Sequence, residues 1–393
     1  MAWKAMDIQE QRVRFVVAAS RGEKSLTALC TEFGISRPTG ALWVKRYAES
    51  GVAGIAERSR RPHSSPSQTI RELEERVIAL RLRYPDWGAR KLEALLSGEG
   101  VKLARSTIHR ILLRYDLVEP RDRRQLAAKR FERERPNQLW QMDFKGPKNW
   151  PQAVGPLSVL DDHSRYAITL AATSKLDGNL VRAQLEQAFE RCGVPDAMLM
   201  DHGTPWWNWQ SFSGRTQLSL WMMRQGIRLL FSGVAHPQTQ GKVERFHGSL
   251  QRALDRRGLQ HEPQAWLDNY RAEYNQLRPH EALGMKTPAS MWRPSSRRYN
   301  PNPSPWQYPE NAWTLKVDCQ GTIDLKGIRW RIGKTLAGER VMIQPLEQRW
   351  LIFYCSTLVR EIDPQAQRST IVERWKEEQN LPKKMERMSR DTL

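Results

Sequence analysis

The stretch Leu139-Trp-Gln-Met-Asp-Phe144 places an acid inside an otherwise apolar strand. A carboxylate in a sheet interior is costly unless it is paired or bound to a metal, which makes Asp143 a candidate site residue. Working outward, Leu157–Leu160, Tyr166–Ala171, Ala197–Met200 and Ile227–Phe231 read as further strands. Gly178–Arg191, Leu218–Arg224 and Lys242–Arg257 read as helices. Three meander strands followed by alternating helix and strand predict an α/β layer with a mixed sheet. Asp201 directly follows the run Ala197–Met200, at a strand's carboxyl end, where open α/β sheets place ligands. Glu244 begins a helix in Gly241-Lys-Val-Glu-Arg-Phe-His247, just after the polar loop His236-Pro-Gln-Thr-Gln240. Two strand positions and one helix can bring three carboxylates to one pocket. Such an oxygen-only donor set selects hard cations, Mg2+ or Mn2+, and a pair of them about 4 Å apart suits in-line phosphoryl transfer. With 43 Asp and Glu in the chain, charge and spacing alone leave this triad one option among several.

The segment before the sheet is helical. Residues 7–20 form an amphipathic pattern, Ser25–Gly34 reads as a short helix closed by glycine, and Ser36 is placed to cap a helix from Arg37 to Glu49. That order is a helix-turn-helix layout, and Arg37, Lys45 and Arg46 on its last helix suit a major groove. After a basic Pro/Ser linker at 58–68 the pattern repeats, with helices over Thr69–Tyr84, Gly88–Leu96 and Ala104–Tyr115. The last of these carries Arg105, His109, Arg110 and Arg114. Cations on the final helix twice over favour duplex binding, although a solvated face can look the same. Residues 119–135, with Arg123 and Arg124 among seven basic groups, read as a connector suited to the phosphate backbone. Past a Pro/Asn/Ser stretch, Trp313–Val317, Thr322–Leu325, Ile328–Ile332, Arg340–Ile343 and Trp350–Tyr354 predict a small β-barrel.

Charge follows the same division. The 393 residues hold 63 Lys and Arg against 43 Asp and Glu, a net +20. Residues 1–135 carry 28 basic and 17 acidic groups, residues 136–290 carry 17 and 14, and residues 291–393 carry 18 and 12. A nearly balanced middle between basic flanks suggests DNA-gripping arms around a core that keeps its acids for chemistry. The four cysteines lie far apart without histidine partners at ligand spacing, so neither zinc nor a disulfide framework is expected. Met1–Phe15 lacks the apolar core of an export signal, and no run reaches membrane-span length, so the expected compartment is the cytoplasm.

Trp140-Gln-Met-Asp143, Asp201-His-Gly-Thr-Pro-Trp206 and His236-Pro-Gln-Thr-Gln-Gly-Lys-Val-Glu-Arg-Phe-His247 together resemble the three motifs of DDE transposases, within the retroviral-integrase superfamily. The match is to bacterial insertion-sequence enzymes. Tyr274-Asn-Gln-Leu-Arg-Pro-His-Glu-Ala-Leu283 resembles the close of that core, and Tyr84-Pro-Asp-Trp-Gly-Ala-Arg-Lys-Leu92 the second helix-turn-helix. The resemblance implies a multidomain α/β protein: helix-turn-helix units at 1–57 and 69–118, the connector at 119–135, and an RNase H-like core at 136–292. A linker at 293–311, a small SH3-like barrel at 312–364 and a charged tail at 365–393 complete it. It implies Asp143, Asp201 and Glu244 as metal ligands, with two Mg2+ or Mn2+ ions. It also implies binding to element ends, 3′-end cleavage and strand transfer into target DNA, by a dimer or larger assembly on the duplex.

Two features depart from the pattern. Asp201 and Glu244 are separated by 42 residues, the excess falling in the Trp-rich stretch Trp206–Arg215. Its aromatics suit packing better than stacking on unpaired bases. Where relatives carry a basic residue two turns after the glutamate, this chain has Gln251, with Arg252 beside it. Lys242 and Arg245 flank Glu244 as DNA contacts, His247 either approaches the scissile phosphate or closes the site, and Asp161-Asp162 reads as a turn. The competing functions are a DNA-binding regulator with an inactive core and a hydrolytic nuclease. The first leaves the three acids unexplained, the second the tandem helices and C-terminal domain.

Overall fold

Two serines start the helices of the N-terminal unit. Ser25 and Ser36 hold extended backbone, and each side chain accepts a hydrogen bond from the amide three residues on, Ala28 and Thr39. These bonds satisfy donors that a helix start leaves open. In the computed structural model, which describes residues 8–56, 69–118, 132–208, 211–232, 240–259 and 262–371, this unit comprises α1 (Ile8–Arg21), α2 (Leu26–Glu32) and α3 (Arg37–Ser50). A 3-10 turn, Gly51–Ile55, follows. Phe15, Val16, Leu29, Cys30 and Ile55 form its core. Gly40 lets α3 lie directly on that core, because a Cβ there would stand 2.4 Å from Cys30 Sγ and 2.8 Å from Phe15 Cζ. The chain divides into residues 1–70 and 71–393 as separate compact units.

The second unit opens with α4 (Arg71–Arg83), α5 (Ala89–Gly98) and α6 (Arg105–Arg114) around Val77, Trp87, Leu92, Leu96, Ile108 and Ile111. The sheet follows as β1 (Trp140–Phe144), β2 (Leu157–Asp161), β3 (Ala167–Ala171), then α7 (Gly178–Cys192) and β4 (Ala197–Met200). Next come α8 (Gln217–Arg224), β5 (Arg228–Phe231), α9 (Gly241–Arg257), α10 (Pro263–Gln276) and α11 (Pro288–Met291). Strand order is β3-β2-β1-β4-β5, antiparallel on the β3 side of β1 and parallel on the other, so the sheet is mixed as expected. Strand alternation divides the apolar residues between two faces. Trp140, Met142, Met198 and Met200 pack with Phe189 of α7 and Trp221 of α8. On the far face Leu160 and Leu170 pack with Phe246 and Leu250 of α9 and Tyr270 and Tyr274 of α10.

Residues 293–311, read as a linker, are strapped along the core: Ser295 N donates to Cys192 O (2.8 Å), and Val194 N donates to Arg297 O (2.8 Å). Beyond them lie β6 (Thr314–Lys316), β7 (Thr322–Leu325), β8 (Ile328–Arg331), β9 (Arg340–Leu346), β10 (Arg349–Tyr354), β11 (Thr357–Asp363) and β12 (Arg368–Ile371). The expected SH3-like barrel does not close. The main sheet runs β12-β11-β10-β9-β6 with two edges, and β7 pairs only with β8. Closure is unnecessary because Ile323, Trp330, Ile343 and Ile352 share one continuous core with the residues packed on α7 and α8. No helix among the described residues is long and apolar enough to cross a membrane.

Gly40→Ala must push the Cys30 thiol and the Phe15 ring apart. The expected cost is about 1–3 kcal/mol to the N-terminal unit. Hydrogen exchange on the intact chain should show protection lost over α1–α3 and retained in the β1–β5 sheet.

Candidate metal centre and nucleic-acid interface

β1 and β4 run parallel with Trp140 opposite Met198 and Gln141 opposite Leu199. Two residues further along, the same register brings Asp143 beside Asp201, on the face shared by Gln141 and Leu199. Asp201 lies just past the end of β4. Its Oδ1 accepts hydrogen bonds from Gly203 N (2.9 Å) and Trp206 Nε1 (3.0 Å). Trp206 is buried and stacks on Phe144, centroids 5.4 Å apart. The aromatic insert therefore holds one candidate acid in place.

The third acid arrives on α9. Gln141, fully buried next to Trp140, accepts a hydrogen bond from Val243 N (3.2 Å) and donates to Asp162 Oδ1 (2.8 Å). Asp162 Oδ2 lies 2.5 Å from Lys242 Nζ. The first turn of α9 is thus tied to the central strand, with Val243 and Phe246 facing inward and Glu244 exposed in that turn. One turn on, His247 Nδ1 stands 3.8 Å from Asp143 Oδ2, and Nε2 is 3.0 Å from Ser158 Oγ, on the residue paired with Asp143 across β1 and β2. Burial, aided by the Lys145 charge, pushes the imidazole down to about 3, so it is neutral at physiological pH. His247 thereby bridges α9 to β2 beside Asp143.

Burial pushes the Asp143 carboxyl up to about 7, with the Asp201 charge and then that of Glu244 adding to it. Burial also raises Glu244, against the pull of Arg245. Asp143 therefore lies within electrostatic reach of both Asp201 and Glu244. Among the described residues, however, no three Asp, Glu, His or Cys side chains converge closely enough to enclose one ion. The donor chemistry fits a hard divalent cation: carboxylate oxygens on one face, a partly buried acid whose charge its neighbours oppose, and lysines engaged elsewhere. Lys242 pairs with Asp162, and Lys145 Nζ donates to the carbonyls of Gly146 (2.9 Å) and Lys148 (3.2 Å).

The other sequence candidates separate by exposure. Arg37 lies exposed at the start of α3. Arg46 sits over the Trp43 ring at 5.0 Å, and Lys45 lies 3.9 Å from Glu49. On α6, Arg105, His109, Arg110 and Arg114 are all exposed, and Arg114 also pairs with the buried Glu74 at 2.5 Å. Lys242 pairs with Asp162, and burial lowers it to about 8. Arg245 is exposed, and Arg252 donates to Ser249 Oγ (3.0 Å). Arg123 and Arg124 lie outside the described residues. Asp161 forms the expected turn, accepting from Ser164 N (2.8 Å) and Asn137 N (2.7 Å). Sequence reasoning passed over Gln141, whose signal was a second polar side chain in an apolar strand, two residues from Asp143.

The folded protein holds the Asp143 proton more tightly than the unfolded chain, where the carboxyl has its ordinary value of 3.8. This contribution to stability is complete below about pH 4 and is lost as pH rises through about 7. In EDTA, the Tm of the parent should fall by a few degrees relative to Asp143→Asn between about pH 5 and pH 8. Parallel pH profiles for the two proteins would mean that Asp143 ionises as an ordinary surface acid.

Comparison with known proteins agrees along the chain. Residues 133–237 and 225–288 match integrase core domains, 11–63 a helix-turn-helix domain, 39–112 a homeodomain-like domain, and 312–370 the IS481 family transposase C-terminal domain. The 39.2 kDa protein of insertion element IS476 from Xanthomonas euvesicatoria is 27% identical over 251 residues, 61% of this chain and 69% of that protein. The 31.7 kDa protein of insertion element IS407 from Burkholderia multivorans is 27% identical over 237 residues, 58% and 82% of the respective chains. The transposase for insertion sequence IS1202 from Streptococcus pneumoniae is 24% identical over 343 residues, 74% and 70%. Helix-turn-helix domains, an RNase H-like integrase core and an insertion-sequence C-terminal domain occur here in one order, and the chain belongs to the DDE transposases of insertion sequences, polynucleotidyl transferases by class.

Proposed function

We propose that Asp143, Asp201 and Glu244 form the catalytic site, and that this site cleaves the 3′ ends of the element and transfers them into target DNA. The observation that carries this reading is the β1–β4 register, which sets Asp143 beside Asp201 on the face over which α9 carries Glu244. In this reading the three carboxylates hold two Mg2+ or Mn2+ ions, which when bound supply Lewis-acid polarisation of a phosphate oxygen and a nucleophilic oxygen at neutral pH. The protein's own part is positional. Trp206 and the Gly203 amide orient Asp201, Gln141 fixes the helix that bears Glu244, and neutral His247 sits against Asp143 without adding charge.

Residues 1–57 and 69–118 act as the end-binding units, with Arg37 and Arg46 on α3 and Arg105, His109 and Arg110 on α6 facing the duplex. The core spans 136–292, with Arg245 and Arg252 beside the DNA end. Two ends are held at once, so the active form on DNA is a dimer or larger assembly. Nothing in this chemistry needs a covalent link between protein and DNA.

The test is an in vitro reaction with Mg2+ and duplexes carrying the element's terminal repeats. Nicked and joined products support transposition, nicking without joining supports a nuclease, and binding alone supports a regulator. Asp143→Asn, Asp201→Asn and Glu244→Gln should each lower nicking and joining by roughly a thousandfold or more. Duplex affinity should stay within about twofold, because sequence reading lies in the helical units. Undiminished turnover by any one variant removes that acid from the site.

A further inference from the structure

The motif Tyr84-Pro-Asp-Trp87, between α4 and α5, contains an acid that the reaction does not use. Asp86 is fully buried, and its carboxylate is gripped by two cations from the catalytic core: Oδ2 accepts from Arg278 at 2.6 Å, and Oδ1 pairs with Arg257. The neighbouring Pro85 carbonyl accepts a hydrogen bond from Arg256 at 2.6 Å, and Arg90 reaches Glu281 at 2.7 Å. Arg256 and Arg257 form the last turn of α9. Glu244 lies in its first turn, thirteen residues earlier, about 20 Å away along the axis. One rigid helix therefore carries a candidate catalytic acid at one end and the grip on the second helix-turn-helix at the other.

The grip continues to the DNA-facing helix. Arg81, near the end of α4, donates to Trp87 O (2.6 Å) and to Leu117 O (3.1 Å), just past α6. Glu74 of α4 holds Arg114 of α6 at 2.5 Å and Tyr115 at 3.2 Å. Hydrogen bonds and ion pairs thus run without a break from α6 through α4 and Asp86 to α9. A domain joined only by a linker would move freely relative to its neighbour; this one is clamped.

We infer that Asp86 is a positioning residue that makes the second helix-turn-helix and the catalytic core a molecular ruler, setting the cut at a fixed distance from the sequence that α6 reads. The inference rests on the reading of α6 as an end-binding helix and of Glu244 as catalytic. Its mechanical half can be measured without DNA.

Spin labels at Ser106→Cys on α6 and Gln187→Cys on α7, in a Cys319→Ser background of the full chain, report the distance between the two parts. Parent protein should give a narrow distribution, and Asp86→Ala one at least about twofold broader. A second pair within the helical unit, Ser106→Cys with Glu72→Cys, should stay narrow in both and so show that the unit is still folded. Cut sites are then mapped on duplexes in which the recognised sequence is shifted by one or two base pairs from the terminus. In the parent the cut should move with the sequence, and in Asp86→Ala it should scatter over neighbouring positions. An unchanged inter-part distribution in Asp86→Ala overturns the clamp, as does a broad one in the parent. A cut that stays at the terminus whatever the shift overturns the ruler. Absence of any cutting by the parent instead counts against the catalytic reading, and the distance measurement still decides the clamp.

Discussion

The side-chain amide of Gln141 is the interaction on which the candidate site depends. A helix start leaves backbone donors open, and in a protein interior these must find partners. Gln141 Oε1 takes one of them, Val243 N, while its Nε2 holds Asp162, which in turn holds Lys242. Each such bond is worth only about 1 kcal/mol net, but losing the amide would leave a buried donor and a buried carboxylate short of partners, at about 1–3 kcal/mol each. The same bonds decide orientation. With α9 anchored on β1 at residue 243, Glu244 falls in the first turn, where the helix dipole favours a carboxylate, and His247 falls beside Asp143.

Two buried acids, Asp86 and Asp161, and the partly buried Asp143 show how much a carboxyl's neighbours add to burial. For Asp86, burial raises the carboxyl, and the Arg278 and Arg257 charges more than reverse it, so the group ends below its ordinary value. For Asp161, burial prevails over the hydrogen bonds from Ser164 and Asn137, and the acid stays raised inside a turn it organises. Among the described residues Asp143 has no lysine or arginine partner, and it organises no such turn. Burial raises it, and two further carboxylates oppose its ionisation. A cation there would offset that opposition, and this electrostatic deficit, more than the presence of acids, is what supports the proposed site.

Much of this was legible in the residues. The strands 197–200 and 140–144 announced themselves by short apolar runs, and Ser25 and Ser36 by capping chemistry, because these signals are local. The three acids of the proposed site stood out by context, one in an apolar strand and another at a strand end. What failed to show was partnership. Arg114 and Lys242 each pair with a buried acid, Glu74 forty residues away and Asp162 eighty, which no local pattern can reveal. The C-terminal strands were visible one by one, but whether they close into a barrel depends on what else covers their apolar face. Here the answer lay in α7 and α8. The strap at residues 293–311 was hidden by the same logic, since Pro/Asn/Ser composition describes chain stiffness and not the carbonyls it will meet.

The 42-residue gap between Asp201 and Glu244 has a spatial resolution of the same kind. The Trp-rich insert leaves the end of β4 and returns to nearly the same point, because Trp207 and Arg215 form an antiparallel bridge and Asn208 N bonds Gly214 O at 3.0 Å. Within that closed loop Trp206 and Trp207 are buried, Trp207 against Phe231 and the Arg215 guanidinium. An insertion that closes on itself adds length without adding distance, so β5 still pairs with β4 in unbroken register. The added aromatics then become useful where they are buried: Trp206 reaches back from the loop to bond Asp201, so that the segment lengthening the spacing also fixes the acid it follows.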